Sequence, residues 1–255
     1  MRYALQVQYI GKNYAGSQIQ FENGIEIKTP TIQGELEKAI STLIFGDTEN
    51  NNRRLKTVFS GRTDRGVNSI GQVVHFDTDK PIVASKFVYQ LNEILPKDIS
   101  VSDLKQVDDR FHAQKSAKSR HYRYIFINRK CKNAFDGDLM RVKFDINIER
   151  MQQALNYLLG EHDFSSFKSS GTLNPSKVCF ITKAECKKED DKVIIDIVGN
   201  RFLYNMVRTI VGTLLEIEGH NCPAEYMEQV LEACNRTKAG QTVSPYGLTL
   251  MNVEY

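Results

Sequence analysis

The hydrophobic period of this chain keeps switching between two and about 3.6 residues, yet it never settles into a strict strand–helix–strand rhythm. Tyr3, Leu5, Val7 and Tyr9 alternate with Ala4, Gln6 and Gln8, the pattern of a strand with one buried face. Thr31 then stands as a helix cap before Ile32, Leu36, Ile40 and Leu43 at helical spacing. Val73–Phe76 reads as a strand, Ser85–Leu95 as a helix stopped by Pro96, and Ile99–Val107 as a strand. The second half varies the same plan. Strand His121–Asn128 precedes a helix Asn147–Leu159 closed by Gly160, and a hairpin joins Val178–Lys187 to Val193–Val198 across Asp190 and Asp191. A helix from about Tyr204 to Glu218, a shorter one after Pro223 and a strand Leu248–Val253 follow. Such a chain predicts an α+β fold: two α/β subdomains with helices on one face of mainly antiparallel sheets. At 255 residues and 41% hydrophobic content the core is sizeable. The boundary is placed near 110, giving an N-terminal unit 1–110 and a C-terminal unit 111–255. Residues 49–54 and 129–138 read as exposed loops.

Several function classes fall away. A net charge of +3 permits RNA binding without establishing it. No apolar run reaches about 18 residues, and Met1–Gln6 leads into strand alternation without a signal-peptide core, so no membrane association and a cytoplasmic location are expected. Five cysteines without C-x-x-C spacing and five histidines without a ligand pattern predict reduced thiols and no metal, which counts against a zinc nucleobase deaminase. Neither a Walker loop nor a dinucleotide G-x-G-x-x-G is present, so no nucleotide cofactor is expected.

Three places carry chemistry. Ser60–Val67 sets Asp64 between Arg62 and Arg65 in a loop bounded by Gly61 and Gly66. Two cations within a few ångströms favour an ionised carboxylate, whereas the plainer reading is a surface turn with a local ion pair. Arg208 lies in Phe202–Leu215, where helical spacing makes nearly every side apolar. A guanidinium there needs a carboxylate partner, or else it reaches the helix end and snorkels to water. Tyr122, Tyr124 and Phe126 share one strand face, a stripe that serves equally as core or as a stacking platform.

The run Gly61-Arg62-Thr63-Asp64-Arg65-Gly66-Val67 followed by Gly71-Gln72-Val73-Val74-His75-Phe76 resembles the signature of the TruA family of tRNA pseudouridine synthases. Further matches follow in the family's order: Tyr9–Gln20, Asn92–Ile99, Phe111–Ala117, Arg120–Tyr124, Gly160–Phe167, Met206–Gly212 and Gly247–Leu250. The resemblance implies that Asp64 is the catalytic residue and that Arg208 pairs with it. It also implies that Tyr122 stacks on an extruded base and that Arg62 lies beside the target nucleotide. Phe111, His112, Gln114, Lys115 and Lys168 are the implied RNA contacts, although each read alone is solvated surface or, for His112, a structural histidine. A central basic cleft between the subdomains, a homodimer, tRNA as partner and no cofactor complete the implication. Four departures stand out: Ser17 for the family's tryptophan, Arg65 for its alanine, Asn68 for its histidine, and Gln114 for an arginine.

The implied reaction converts uridine to its C-glycoside at tRNA positions 38, 39 and 40, in the anticodon stem-loop. Asp64 attacks either the anomeric carbon or the pyrimidine ring, and the base must leave the stack to reach it. The competing readings are an RNA-binding paralogue without catalysis, which loss of Asp64 would have favoured, and a carboxylate-dependent hydrolase, which lacks a second acid or a metal cluster.

Overall fold

A computed structural model describes residues 1–22, 25–27, 29–46, 54–169 and 176–255. Among them the strands are β1 (Arg2–Tyr9), β2 (Phe21–Glu22), β3 (Ile25–Glu26), β4 (Thr57–Phe59), β5 (Asn68–Asp77), β6 (Ile99–Val107), β7 (Ser119–Asn128), β8 (Arg141–Val142), β9 (Gly160–Asp163), β10 (Val178–Glu189), β11 (Lys192–Gly199) and β12 (Leu248–Glu254). The helices are α1 (Ile32–Phe45), α2 (Ala84–Ile94), α3 (Ile148–Asn156), α4 (Met206–Gly219) and α5 (Tyr226–Glu232). The chain folds as two compact units, one of Met1–Lys118 with Leu250–Tyr255 and the other of Ser119–Thr249. The division thus falls eight residues beyond the sequence-based boundary at 110, and the C-terminal residues return to the first unit. Each unit is a mainly antiparallel sheet with helices, the α+β arrangement that the mixed periodicity predicts.

In the first unit the strand order is β6-β1-β5-β12, with β4 also on β5. Leu5 faces Val74 and Tyr3 faces Phe76 across β1 and β5. Their buried side chains meet Ile32, Leu36 and Ile40 of α1 and Phe87 and Leu91 of α2. Thr31 caps α1 by accepting from the Gly34 amide, as the sequence predicts. Ile44 rather than Leu43 continues the buried stripe, with Leu43 half-buried.

The second unit has the order β7-β11-β10-β9. Tyr124 lies opposite Ile195 and Tyr122 opposite Ile197. Helix α4 buries ten of its fourteen residues, the all-round burial expected of a helix with apolar residues on nearly every side. Its lower end is held by the wholly buried Glu218, which accepts from Arg150 Nε at 2.7 Å and from the Asn147 amide at the start of α3. Helix α3 ends at Asn156, three residues before the expected Leu159. Gly160, with φ of +97°, opens β9 instead of capping the helix. The loop 129–138 is largely exposed as expected, while most of 49–54 lies outside the described residues.

Candidate active site

Asp64 is half-buried at the tip of its loop, on a turn closed by the Val67 amide donating to the Asp64 carbonyl at 3.1 Å. Gly66 takes φ of +82° in that turn, so a glycine is required there. Gly61 has open space around it and no such torsion, so the turn does not depend on it. The other side of the tip is tied to the segment following β1. Gly16 pairs with Asp64 as an isolated antiparallel bridge, and the Ser17 amide donates to the Thr63 carbonyl at 3.0 Å. Ser17 Oγ accepts from the Thr63 amide at 2.8 Å, and Thr63 Oγ1 lies 2.8 Å from the Tyr9 hydroxyl. Gly16 runs so close to this strand that a Cβ would sit 2.9 Å from the Thr63 carbonyl oxygen. Buried Gln72 donates to the Gly61 carbonyl at 3.0 Å and fixes the loop's entrance. The acid is therefore clamped on both sides. Arg62 and Arg65 on either side of it are both exposed.

Phe111–Lys115 is anchored from beneath. Arg2 Nη1 donates to the carbonyls of Asp109 and Phe111 at 2.7 Å, and the Ala113 amide donates to Nδ1 of buried His75 at 3.1 Å. Burial, reinforced by the charge of Arg2, lowers the His75 pKa from 6.5 to about 4, which keeps the ring neutral and accepting. Phe111 stacks at a tilt on Tyr255, with ring centroids 4.9 Å apart, and His112 Nδ1 accepts from the amides of Gln114 and Lys115. Both are half-buried, so their demonstrated contacts are structural, whereas Gln114 and Lys115 are exposed.

In the second unit Tyr122 is buried against Phe202, ring edge to face, at 5.0 Å between centroids. Tyr124, two residues on and fully buried, donates its hydroxyl to the Ser244 carbonyl at 2.8 Å. Arg208 is half-buried on an otherwise buried stretch of α4. Its Nε donates to the Val243 carbonyl at 2.8 Å and its Nη1 to Asn205 Oδ1 at 2.7 Å. The segment 239–244 crosses α4 where Gly212 and Gly240 meet. A Cβ on Gly212 would lie 1.7 Å from the Gln241 oxygen, so only glycine lets this strap reach Arg208. Lys168 is half-buried at the end of a short 3-10 turn Ser165–Phe167. Among the described residues no group of His, Cys, Asp or Glu is placed to hold a metal ion, and no helix is long and apolar enough to cross a membrane.

Residues 154–255 match the family model described as tRNA pseudouridine synthase. A tRNA pseudouridine synthase A of Colwellia psychrerythraea is 39% identical over 100% of this chain and 94% of its own length. Those of Buchnera aphidicola and Anoxybacillus flavithermus are each 41% identical, over 100% and 98% of this chain and 92% and 96% of their own lengths. The chain belongs to the TruA family of tRNA pseudouridine synthases. It is accordingly an isomerase with a pseudouridine synthase fold, and two of its departures from the TruA pattern have a visible structural use. Ser17, where TruA sequences commonly carry tryptophan, is wholly buried and supplies the Thr63 clamp. Asn68, where they carry histidine, accepts from the Gly11 amide at 2.9 Å and joins the two ends of the loop's support. Arg65 and Gln114, the other two, are exposed. Sequence reasoning gave Ser17, Tyr9, Gln72 and His75 no role in holding the TruA loops. Their place within the matched motifs was the available signal.

Proposed function

We propose that the chain isomerises uridine to pseudouridine in the anticodon stem-loop of tRNA, with Asp64 as nucleophile. The observation that carries this reading is the clamped, half-buried Asp64, a carboxylate whose backbone is fixed on one side by Gly16 and Ser17 and on the other by the turn at Gly66. Fixing the acid before substrate arrives removes the entropy of finding a near-attack geometry. Its attack, on the anomeric carbon or on the ring, accompanies cleavage of the N1–C1′ bond. The base then turns, C5 bonds to C1′ and the bond to Asp64 breaks to return its carboxylate, the C5 proton leaves and N1 gains one, so no redox partner or energy donor is consumed.

Tyr122 supplies the flat face against which the extruded base stacks, a contact worth roughly 1–3 kcal/mol. Arg208 is the cation paired with Asp64, and Arg62, exposed beside it, contacts the nucleotides that flank the extruded one. Gln114, Lys115 and Lys168 engage the RNA backbone, with Phe111 and His112 shaping the surface that presents the first two. The enzyme works in the cytoplasm as a homodimer and needs no cofactor. Mapping pseudouridine at single-nucleotide resolution in unmodified tRNA incubated with purified protein tests this. New pseudouridine confined to the anticodon stem-loop is expected, and modification elsewhere, or none, would overturn the assignment.

A further inference from the structure

We propose that Asn205 is a positioning residue that fixes the guanidinium of Arg208 and couples it to the Lys168–Ser169 segment. The inference rests on the reading that Arg208 serves Asp64. Asn205 precedes α4 with φ of 61° and ψ of 7°, a left-handed conformation that side chains other than glycine seldom adopt. Asparagine at a helix start ordinarily turns its side-chain oxygen back to cap a free amide. Here it makes no such cap. The helix begins through its backbone instead, with the Thr209 amide donating to the Asn205 carbonyl at 2.9 Å.

The freed side chain bridges two groups. Its Oδ1 accepts from Arg208 Nη1 at 2.7 Å, and its Nδ2 donates to Ser169 Oγ at 3.0 Å. A guanidinium can only donate, so the oxygen must face Arg208 and the amide orientation is set by chemistry. With Nε on the Val243 carbonyl, two edges of the guanidinium are pinned and its plane is defined. The Ser169 amide in turn donates to the Tyr204 carbonyl at 3.1 Å, so the backbone after Lys168 is registered against the entrance of α4. A non-glycine residue kept in a left-handed torsion, with its capping group diverted to an arginine, is strain retained where orientation matters.

The test compares purified Asn205→Gly, Asn205→Asp and Arg208→Lys, alone and combined, by single-turnover and steady-state rates on an unmodified tRNA transcript, with melting temperatures alongside. Glycine accepts the torsion without cost, so Asn205→Gly should melt at or above the parent while kcat falls about tenfold to a hundredfold and KM stays unchanged. Asn205→Asp retains the left-handed tendency and the acceptor for Arg208, and should restore kcat to within a few-fold of the parent. In an Arg208→Lys background, Asn205→Gly should add little further loss, because both changes disturb one unit. Parental kcat in Asn205→Gly with Arg208→Lys inactive would overturn the proposal and leave the proposed function standing. Full activity in Arg208→Lys would overturn the proposal together with the role of the Arg208 guanidinium on which it rests. A full additional loss in the double variant, or a fall in melting temperature and tRNA affinity that tracks kcat, would make Asn205 merely structural and also overturn it.

Discussion

Asp64→Asn should abolish pseudouridine formation while tRNA binding persists, because the amide keeps the side chain's shape and loses its nucleophilicity. Turnover above trace levels in the purified variant would refute the role. Ser17→Ala should destabilise the protein by about 1–3 kcal/mol, since it leaves the buried Thr63 amide without its acceptor. Ser17→Trp, which restores the family's common residue, should cost no less, because the site is wholly enclosed and already filled. Urea unfolding of both variants against the parent measures this, and a tryptophan variant more stable than the parent would show that the clamp is dispensable. Asp64 stands out in the sequence through its place in a run that resembles the TruA signature, because the glycine-bounded frame read alone serves as readily for a surface turn. Ser17 does not stand out, because there it reads only as a missing tryptophan. Its partner lies 46 positions away, and that hydrogen bond exists only once Gly16 has brought the two backbones together.

Helices and long strands were legible wherever a single period ran for several residues, and their ends were not. Helix α3 stops at Asn156 although apolar residues continue to Leu159, and β4 and β9, of three and four residues, are too short to show a period. The contacts between elements carry two predictions. Glu218→Ala should cost about 3–5 kcal/mol by stranding Arg150 and the Asn147 amide at the α3–α4 junction, and thermal melts against the parent would reveal an exposed, expendable pair if the loss stayed under about 1 kcal/mol. His75 makes stability depend on pH. Its folded pKa of about 4 lies below the unfolded 6.5, so the unfolded chain binds the extra proton between those values. The contribution is complete above about 6.5 and erodes as pH falls towards 4, by a maximum on the order of 2–3 kcal/mol. His75→Gln, which keeps an acceptor for the Ala113 amide but cannot titrate, should flatten the fall in denaturation midpoint between pH 6.5 and 5. An unchanged slope would assign it to another group.

For the molecule as a whole, tRNA affinity should fall steeply with salt despite a net charge of only +3, because exposed Lys115, Lys118 and Lys177 with half-buried Lys168 supply local rather than total charge. Fluorescence anisotropy across a salt series should give a log–log slope of several units, as each neutralised phosphate releases counterions. A slope near zero would exclude binding through clustered cations. Two α+β units were legible from the irregular alternation of periods, but the crossing of β12 into the first unit was not, because no local pattern says which sheet a lone terminal strand will join. That crossing governs the order in which the protein can mature on the ribosome. Ser69 Oγ donates to the Leu250 carbonyl, a separation of 181 positions, and Tyr255 donates to Ala113 in the loop that carries Lys115. Synthesis runs from the N-terminus, so the sheet edge beside the Asp64 loop stays open until nearly the entire chain has emerged, and an unfilled edge invites wrong strands. A nascent first unit is thus held incomplete, with the sheet beside its Asp64 loop unsealed, until the same polypeptide delivers β12.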